Sequence, residues 1–185
     1  MALAELCYKT IMADGRKALK ACELKVSTKA LENVIEANSY LSTIGFESGG
    51  LGAAHSIQDA LGIIPAVHAN YHGEKVAFGT LTHLVLENAP DAEIKAVVEF
   101  CYDCGLPITF EDLHIPEVSD VQLMKVAKKA TGPGVPMGNM PFVVTPEDAF
   151  AAMKVADAIA KEYKAKRIRK GTVIVPYTRR QKTAH

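Results

Sequence analysis

Apolar residues recur at intervals of three and four along most of this 185-residue chain. Leu31, Val34 and Ile35 show the spacing, which places apolar side chains on one face of a helix. The pattern predicts helices at about residues 2–13, 15–25, 28–44, 51–61, 72–88, 90–104, 120–130 and 145–164.

Local start and stop signals set several of these boundaries. Thr145 followed by Pro146 is the strongest helix start, because it combines an N-cap hydroxyl with a proline at the first helical position. Ser27 or Thr28 would cap the third helix, and Gly45 would end it. These signals favour short, well-defined helices.

Two stretches lack helical periodicity. Residues 131–145 contain three prolines and three glycines and are predicted to be irregular. Residues 172–177, TVIVPY, have strand character, but a single strand cannot form a sheet. The predicted fold class is therefore all-α, a multi-helix bundle of about eight helices, with residues 1–165 as one helical domain and residues 166–185 as a tail outside the core.

Composition fits a folded protein, and the charge is unevenly distributed. Hydrophobic residues make up 49% of the chain and charged residues 23%, which is typical of globular rather than disordered proteins. The formal net charge of zero combines −7 over residues 1–165 with +7 over residues 166–185. An acidic body argues against nucleic acid as a partner, since phosphate binding requires a basic face. The basic tail leaves open an affinity for anionic surfaces.

Nothing in the sequence indicates export or membrane insertion. The chain has no apolar run of about 18 residues, and Glu5 interrupts the segment where a secretory signal would be apolar. Its four cysteines are too few for a disulfide scaffold of this length and fit a reducing compartment. We therefore expect a cytoplasmic protein without membrane partners.

Histidines are the first candidates for chemistry, because His55, His68, His72 and His83 fall within 29 residues. Imidazole is a common ligand of zinc, iron, copper and nickel. His72 and His83 lie eleven residues apart on one predicted helix, about 16 Å along its axis, so they cannot share an ion. By residue type alone, structural roles are favoured for His55, His72 and His83, with His72 and Glu74 in the first turn of a helix.

Two further motifs carry weak signals. Cys101 and Cys104 form a C-x-x-C pair, but no second pair has matching spacing and Cys101 falls on an apolar helix face, which favours a structural role. The glycine-rich residues 45–55 follow a helix and lack the features of a phosphate-binding loop. Glycines that allow a helix to start close to a ligand or to another helix are the better interpretation.

Residues 45–55, GFESGGLGAAH, and 72–81, HGEKVAFGTL, closely resemble the metal-binding motifs of the glycerol dehydrogenase family, which belongs to the iron-containing (group III) alcohol dehydrogenases. The resemblance extends over about residues 2–163. In that family the C-terminal half is an all-α domain. The resemblance therefore implies that residues 1–165 are a metal- and substrate-binding domain.

The resemblance also implies specific roles. The family holds its catalytic zinc with one Asp and two His, and the two His positions match His55 and His72. Phe46 matches a residue at the substrate cleft. The implied reaction is NAD-linked oxidation of glycerol, or of a related small polyol, to dihydroxyacetone, with zinc acting as a Lewis acid.

Departures from the family pattern limit these expectations. The family's NAD-binding half and its Asp ligand precede the segment that matches Met1, so no NAD-binding or catalytic residue can be transferred to this chain. Asp59, four residues after His55, is an alternative carboxylate on the same helix face. Residues 166–185 have no family counterpart.

Two functions are therefore expected. In the first, the chain is a truncated glycerol dehydrogenase carrying two of three metal ligands and inactive alone. In the second, it is a non-enzymatic helical protein that associates with itself, as a homo-oligomer, or with a full-length relative.

Overall fold

Eight α-helices make up most of residues 2–169, the part of the chain that a computed structural model describes. They confirm the predicted all-α class, and no strand occurs in this range. The predicted strand character of residues 172–177 lies outside the described residues. The chain divides at Gly50 into two compact units.

The first unit contains three helices, α1 (Ala2–Glu23), α2 (Lys29–Glu36) and α3 (Ser42–Gly49). A π-helical segment, Ala37–Leu41, joins α2 to α3 without a break. Helix α1 packs against α2, the π-helical segment and α3. The Thr28 hydroxyl accepts a hydrogen bond from the Leu31 N–H at 3.3 Å, which confirms Thr28 as the cap of α2.

Two helix boundaries predicted in this unit are wrong. The helices predicted at 2–13 and 15–25 are one helix, which ends at Glu23, and Gly45 lies inside α3 instead of ending a helix. A glycine inside a helix costs only about 1 kcal/mol, which packing against a neighbouring helix offsets. Helix α3 ends at Gly50, whose φ of +74° is a conformation that glycine adopts without strain.

The second unit contains α4 (Ala53–Leu61), α5 (His72–Leu86), α6 (Asp91–Cys104), α7 (Asp120–Ala130) and α8 (Pro146–Arg169). Helix α5 packs against α4, α6 and α8, and α7 packs against α4 and α8. Phe78 of α5 lies at the centre of the core, fully buried, with its ring 5.1 Å from that of Phe110. Helices α4 and α5 lie side by side in this unit.

The predicted irregular segment is confirmed, with a short 3₁₀ turn at Pro136–Asn139. Helix α8 begins at Pro146 as predicted and continues five residues beyond the predicted end, to Arg169. Arg167 forms an ion pair with Asp103 at 2.8 Å, so α8 is tied to α6 near its last turn. Within residues 2–169, no helix has both the length and the apolar character that crossing a membrane requires.

Candidate metal centre

The first turns of α4 and α5 bring His55 and His72 together. His55 is the third residue of α4, and His72 is the first residue of α5. Their ring centroids lie 5.5 Å apart, and the ring planes are tilted by 42°. Two imidazoles from neighbouring helices therefore face the same space, as a metal site built between helices requires.

Close packing of α4 on α5 depends on Gly79. A Cβ atom at this position would overlap the carbonyl oxygen of Ala54 and would lie only 3.0 Å from its carbonyl carbon. Ala54 directly precedes His55 along α4. The absence of a side chain at Gly79 therefore sets how closely the His55 backbone approaches α5.

The start of α5 is fixed by hydrogen bonds on both sides of Tyr71. The Tyr71 N–H donates to Oε2 of Glu74 at 2.7 Å, and the Tyr71 carbonyl accepts from the Lys75 N–H at 3.2 Å. Glu74 is only 7% exposed, whereas Tyr71 and His72 are exposed. The predicted first-turn position of Glu74 is confirmed, but its burial was not foreseen.

Burial lowers the pKa of the His55 imidazole below its ordinary value. The neighbouring His72 lowers this pKa further, and Asp59 acts in the opposite direction. Burial and the neighbouring His72 therefore both favour the neutral imidazole, which is the form that binds a metal ion.

The other two clustered histidines have structural contacts of their own. Nε2 of His68 lies 2.8 Å from the carbonyl oxygen of Gly62. Nε2 of His83 is 3.4 Å from the carboxylate of Glu87, the residue that follows α5. The extended conformation of Asn70 separates His68 from α5, so the two histidines at i, i+4 spacing do not share a helix.

Within residues 2–169, no three His, Cys, Asp or Glu side chains converge into a group that could hold a metal ion. Asp59 lies on α4 with an exposed side chain. It is close enough to His55 to influence its pKa, but it does not complete a three-residue group.

Phe46 lies on α3 in the first unit and is 49% exposed. Such exposure leaves much of its ring available for contact. No described contact shows what Phe46 binds, so its role in substrate binding stays a prediction.

Relatives of this chain include a curated glycerol dehydrogenase from Escherichia coli O6:H1, which is 52% identical over 163 residues. The chain is similar to glycerol dehydrogenases. This match covers 88% of the chain but 44% of that glycerol dehydrogenase, so the chain spans less than half the length of the curated relatives it matches. No protein-family model matches the chain.

Solved glycerol dehydrogenase structures share the fold. The structure of glycerol dehydrogenase from Schizosaccharomyces pombe superposes with a TM-score of 0.88 at 35% identity, over 95% of this chain and 44% of that one. A probable glycerol dehydrogenase from Sinorhizobium meliloti superposes with a TM-score of 0.84 at 42% identity, over 87% of this chain and 45% of that one. The predicted resemblance to the helical C-terminal domain of glycerol dehydrogenase is confirmed.

Proposed function

We propose that this chain provides the metal- and substrate-binding part of a zinc-dependent, NAD-linked dehydrogenase of glycerol or a related small polyol. His55 and His72 bind the metal, and Phe46 contributes to the substrate cleft. The observation that carries the proposal is the pair of imidazoles 5.5 Å apart between α4 and α5.

The donor set fits zinc in part. Imidazole nitrogen is a preferred zinc ligand, and catalytic zinc sites use three protein ligands with one open position. In this proposal His55 and His72 are two of the ligands, and because no three His, Cys, Asp or Glu side chains converge within residues 2–169, the third would come from another chain or segment. When bound, zinc supplies Lewis-acid activation of the substrate hydroxyl.

Turnover by the 185-residue chain alone is not expected. The described residues form no sheet from which a dinucleotide-binding turn could extend. His55 and His72 would then hold the metal that binds the polyol, while hydride transfer requires an NAD site supplied elsewhere.

Zinc binding tests the site directly. Isothermal titration calorimetry of the full chain with Zn²⁺ should show binding. His55→Ala and His72→Ala should each weaken this binding by at least roughly 10–100-fold, which is the loss typical when a residue that supports a metal ligand is removed. His68→Ala is the matched control, because His68 contacts only the nearby Gly62 carbonyl among its described hydrogen-bond partners. Absence of binding by the wild type, or an equal loss in the control, would overturn the metal assignment.

Activity is measured separately, as NAD reduction in the presence of glycerol and Zn²⁺. We expect no turnover from the chain alone. Robust turnover would refute the inactivity proposal while leaving the metal site intact.

A second candidate function is association with a copy of the chain or with a full-length relative. Large apolar side chains are exposed in the first unit, among them Leu6, Ile35, Ile44 and Phe46. Exposed large apolar side chains can form interaction sites where they cluster on the surface. Sedimentation velocity should reveal a concentration-dependent oligomer or a mixed complex, and a clean monomer with no dye-detectable apolar surface would remove this candidate.

A further inference from the structure

A buried carboxylate lies two residues from the candidate metal ligand His72. Glu74 is 7% exposed, and its described hydrogen bond is the one that it accepts from the Tyr71 backbone N–H at 2.7 Å. Burying a charged group is unfavourable unless hydrogen bonds or a helix dipole compensate. Both occur here, because Glu74 is the third residue of α5.

The hydrogen bonds around Tyr71 restrict the backbone immediately before His72. The Tyr71 N–H is held by Glu74, and the Tyr71 carbonyl is held by the Lys75 N–H. The preceding residue, Asn70, is also anchored, since it is buried and its N–H donates to the Val67 carbonyl at 3.1 Å. His72 therefore follows a backbone segment held in place by hydrogen bonds, although its own side chain is exposed.

We propose that Glu74 is a positioning residue for His72, holding the first turn of α5 so that the His72 imidazole stays opposite His55. The inference rests on the proposed metal site. It assigns Glu74 no contact with the metal or with substrate, and its effect passes through the Tyr71 N–H alone.

Two substitutions of Glu74 and two control substitutions separate this role from simple helix capping. Glu74→Ala removes the acceptor, and Glu74→Gln keeps an acceptor of the same length without the charge. Asp148→Ala is the matched control, because Asp148 is the third residue of α8 and accepts from the Thr145 N–H at 2.9 Å. Gln122→Ala is a neutral control at α7, where the Ser119 N–H donates to Gln122 at 3.2 Å.

The first measurement requires no metal. In histidine-labelled full-length chain, a nuclear Overhauser effect between the two imidazole rings should be present in the wild type, in Glu74→Gln and in both control variants. It should be lost or strongly reduced in Glu74→Ala. Thermal unfolding followed by circular dichroism should show a small decrease for Glu74→Ala and for both controls, since each variant loses the side-chain acceptor of its N-cap backbone N–H.

The second measurement is Zn²⁺ affinity by titration. Glu74→Ala should bind about tenfold or more weakly, as for loss of a residue that orients a metal ligand, whereas Glu74→Gln should recover most of the affinity. If the wild type binds no Zn²⁺, the proposed function fails, and the ring contact still decides whether Glu74 positions His72. If the wild type binds and Glu74→Ala retains both the ring contact and the affinity, the positioning role alone is overturned.

Discussion

Buried carboxylates in this chain bind backbone N–H groups, and Asp157 is the most deeply placed example in the second unit. Its Oδ1 accepts from the Phe110 N–H at 2.8 Å, and its Oδ2 pairs with Lys161 at 2.6 Å. Asp157 is 6% exposed and Phe110 is 5% exposed. One carboxylate thus fixes the segment after α6 to α8.

Asp157→Ala should lower the free energy of unfolding by about 1–3 kcal/mol, because it leaves the buried Phe110 N–H without an acceptor. Asp157→Asn retains an acceptor and should cost less. Urea denaturation of the full chain measures both. Equal stability of the wild type and Asp157→Ala would show that the Phe110 N–H finds another acceptor or water.

Among the helices, the contact between α4 and α5 is sensitive to side-chain size at Gly79. Gly79→Ala would place a Cβ atom against the Ala54 carbonyl. Overpacking of this kind costs about 1–3 kcal/mol, more than the roughly 0.5–1 kcal/mol that alanine gains over glycine in a helix. We expect a net loss of stability together with weaker Zn²⁺ binding, because the backbone beside His55 must move away from α5.

Gly73→Ala is the matched control on the same helix, since a Cβ atom at Gly73 meets nothing within 4 Å. It should leave the unfolding midpoint and Zn²⁺ affinity unchanged or slightly raised. Thermal unfolding and zinc titration compare the two variants. Equal unfolding midpoints and equal Zn²⁺ affinities of the two variants would mean that α4 adjusts without disturbing the histidines.

Helix starts could be predicted from sequence because their stabilising contacts are local. The hydroxyl of each of three cap residues, Thr28, Ser119 and Thr145, accepts a hydrogen bond from the backbone N–H three positions ahead. The ends were harder to predict, since Gly15 and Gly45 continue their helices while Gly50 and Gly105 adopt positive φ and end theirs. A glycine stops a helix only where the chain must turn, and packing between distant segments decides that.

The candidate metal site, like the helix boundaries, could be predicted where it depends on local sequence and not where it depends on packing. Spacing alone did not select His55 and His72 from four clustered histidines, whereas the resemblance of residues 45–55 and 72–81 did. The burial of Glu74 and the contact of Gly79 with Ala54 depend on how α4 and α5 pack. An acid three residues after a helix cap was visible in the sequence, but its isolation from solvent was not.

At the scale of the whole molecule, the two units differ in what they bury. Within residues 2–50 the buried side chains are Ala18, Ala21 and Ala37. The second unit buries large side chains such as Phe78 and Met153. Burial of apolar area is the main source of stability, so the two units should resist opening to different degrees.

Amide hydrogen exchange, followed by mass spectrometry on the full chain, should therefore be at least about tenfold faster in α1 and α3 than in α4 and α5. Peptides from α7 are a control, because α7 contains the fully buried Leu123 and Val126 and should exchange slowly. Slow exchange in α1, equal to that of α5, would contradict the difference in burial. If the slow exchange depended on protein concentration, association of the exposed apolar side chains of the first unit would be its cause, which would favour the second candidate function over an isolated chain.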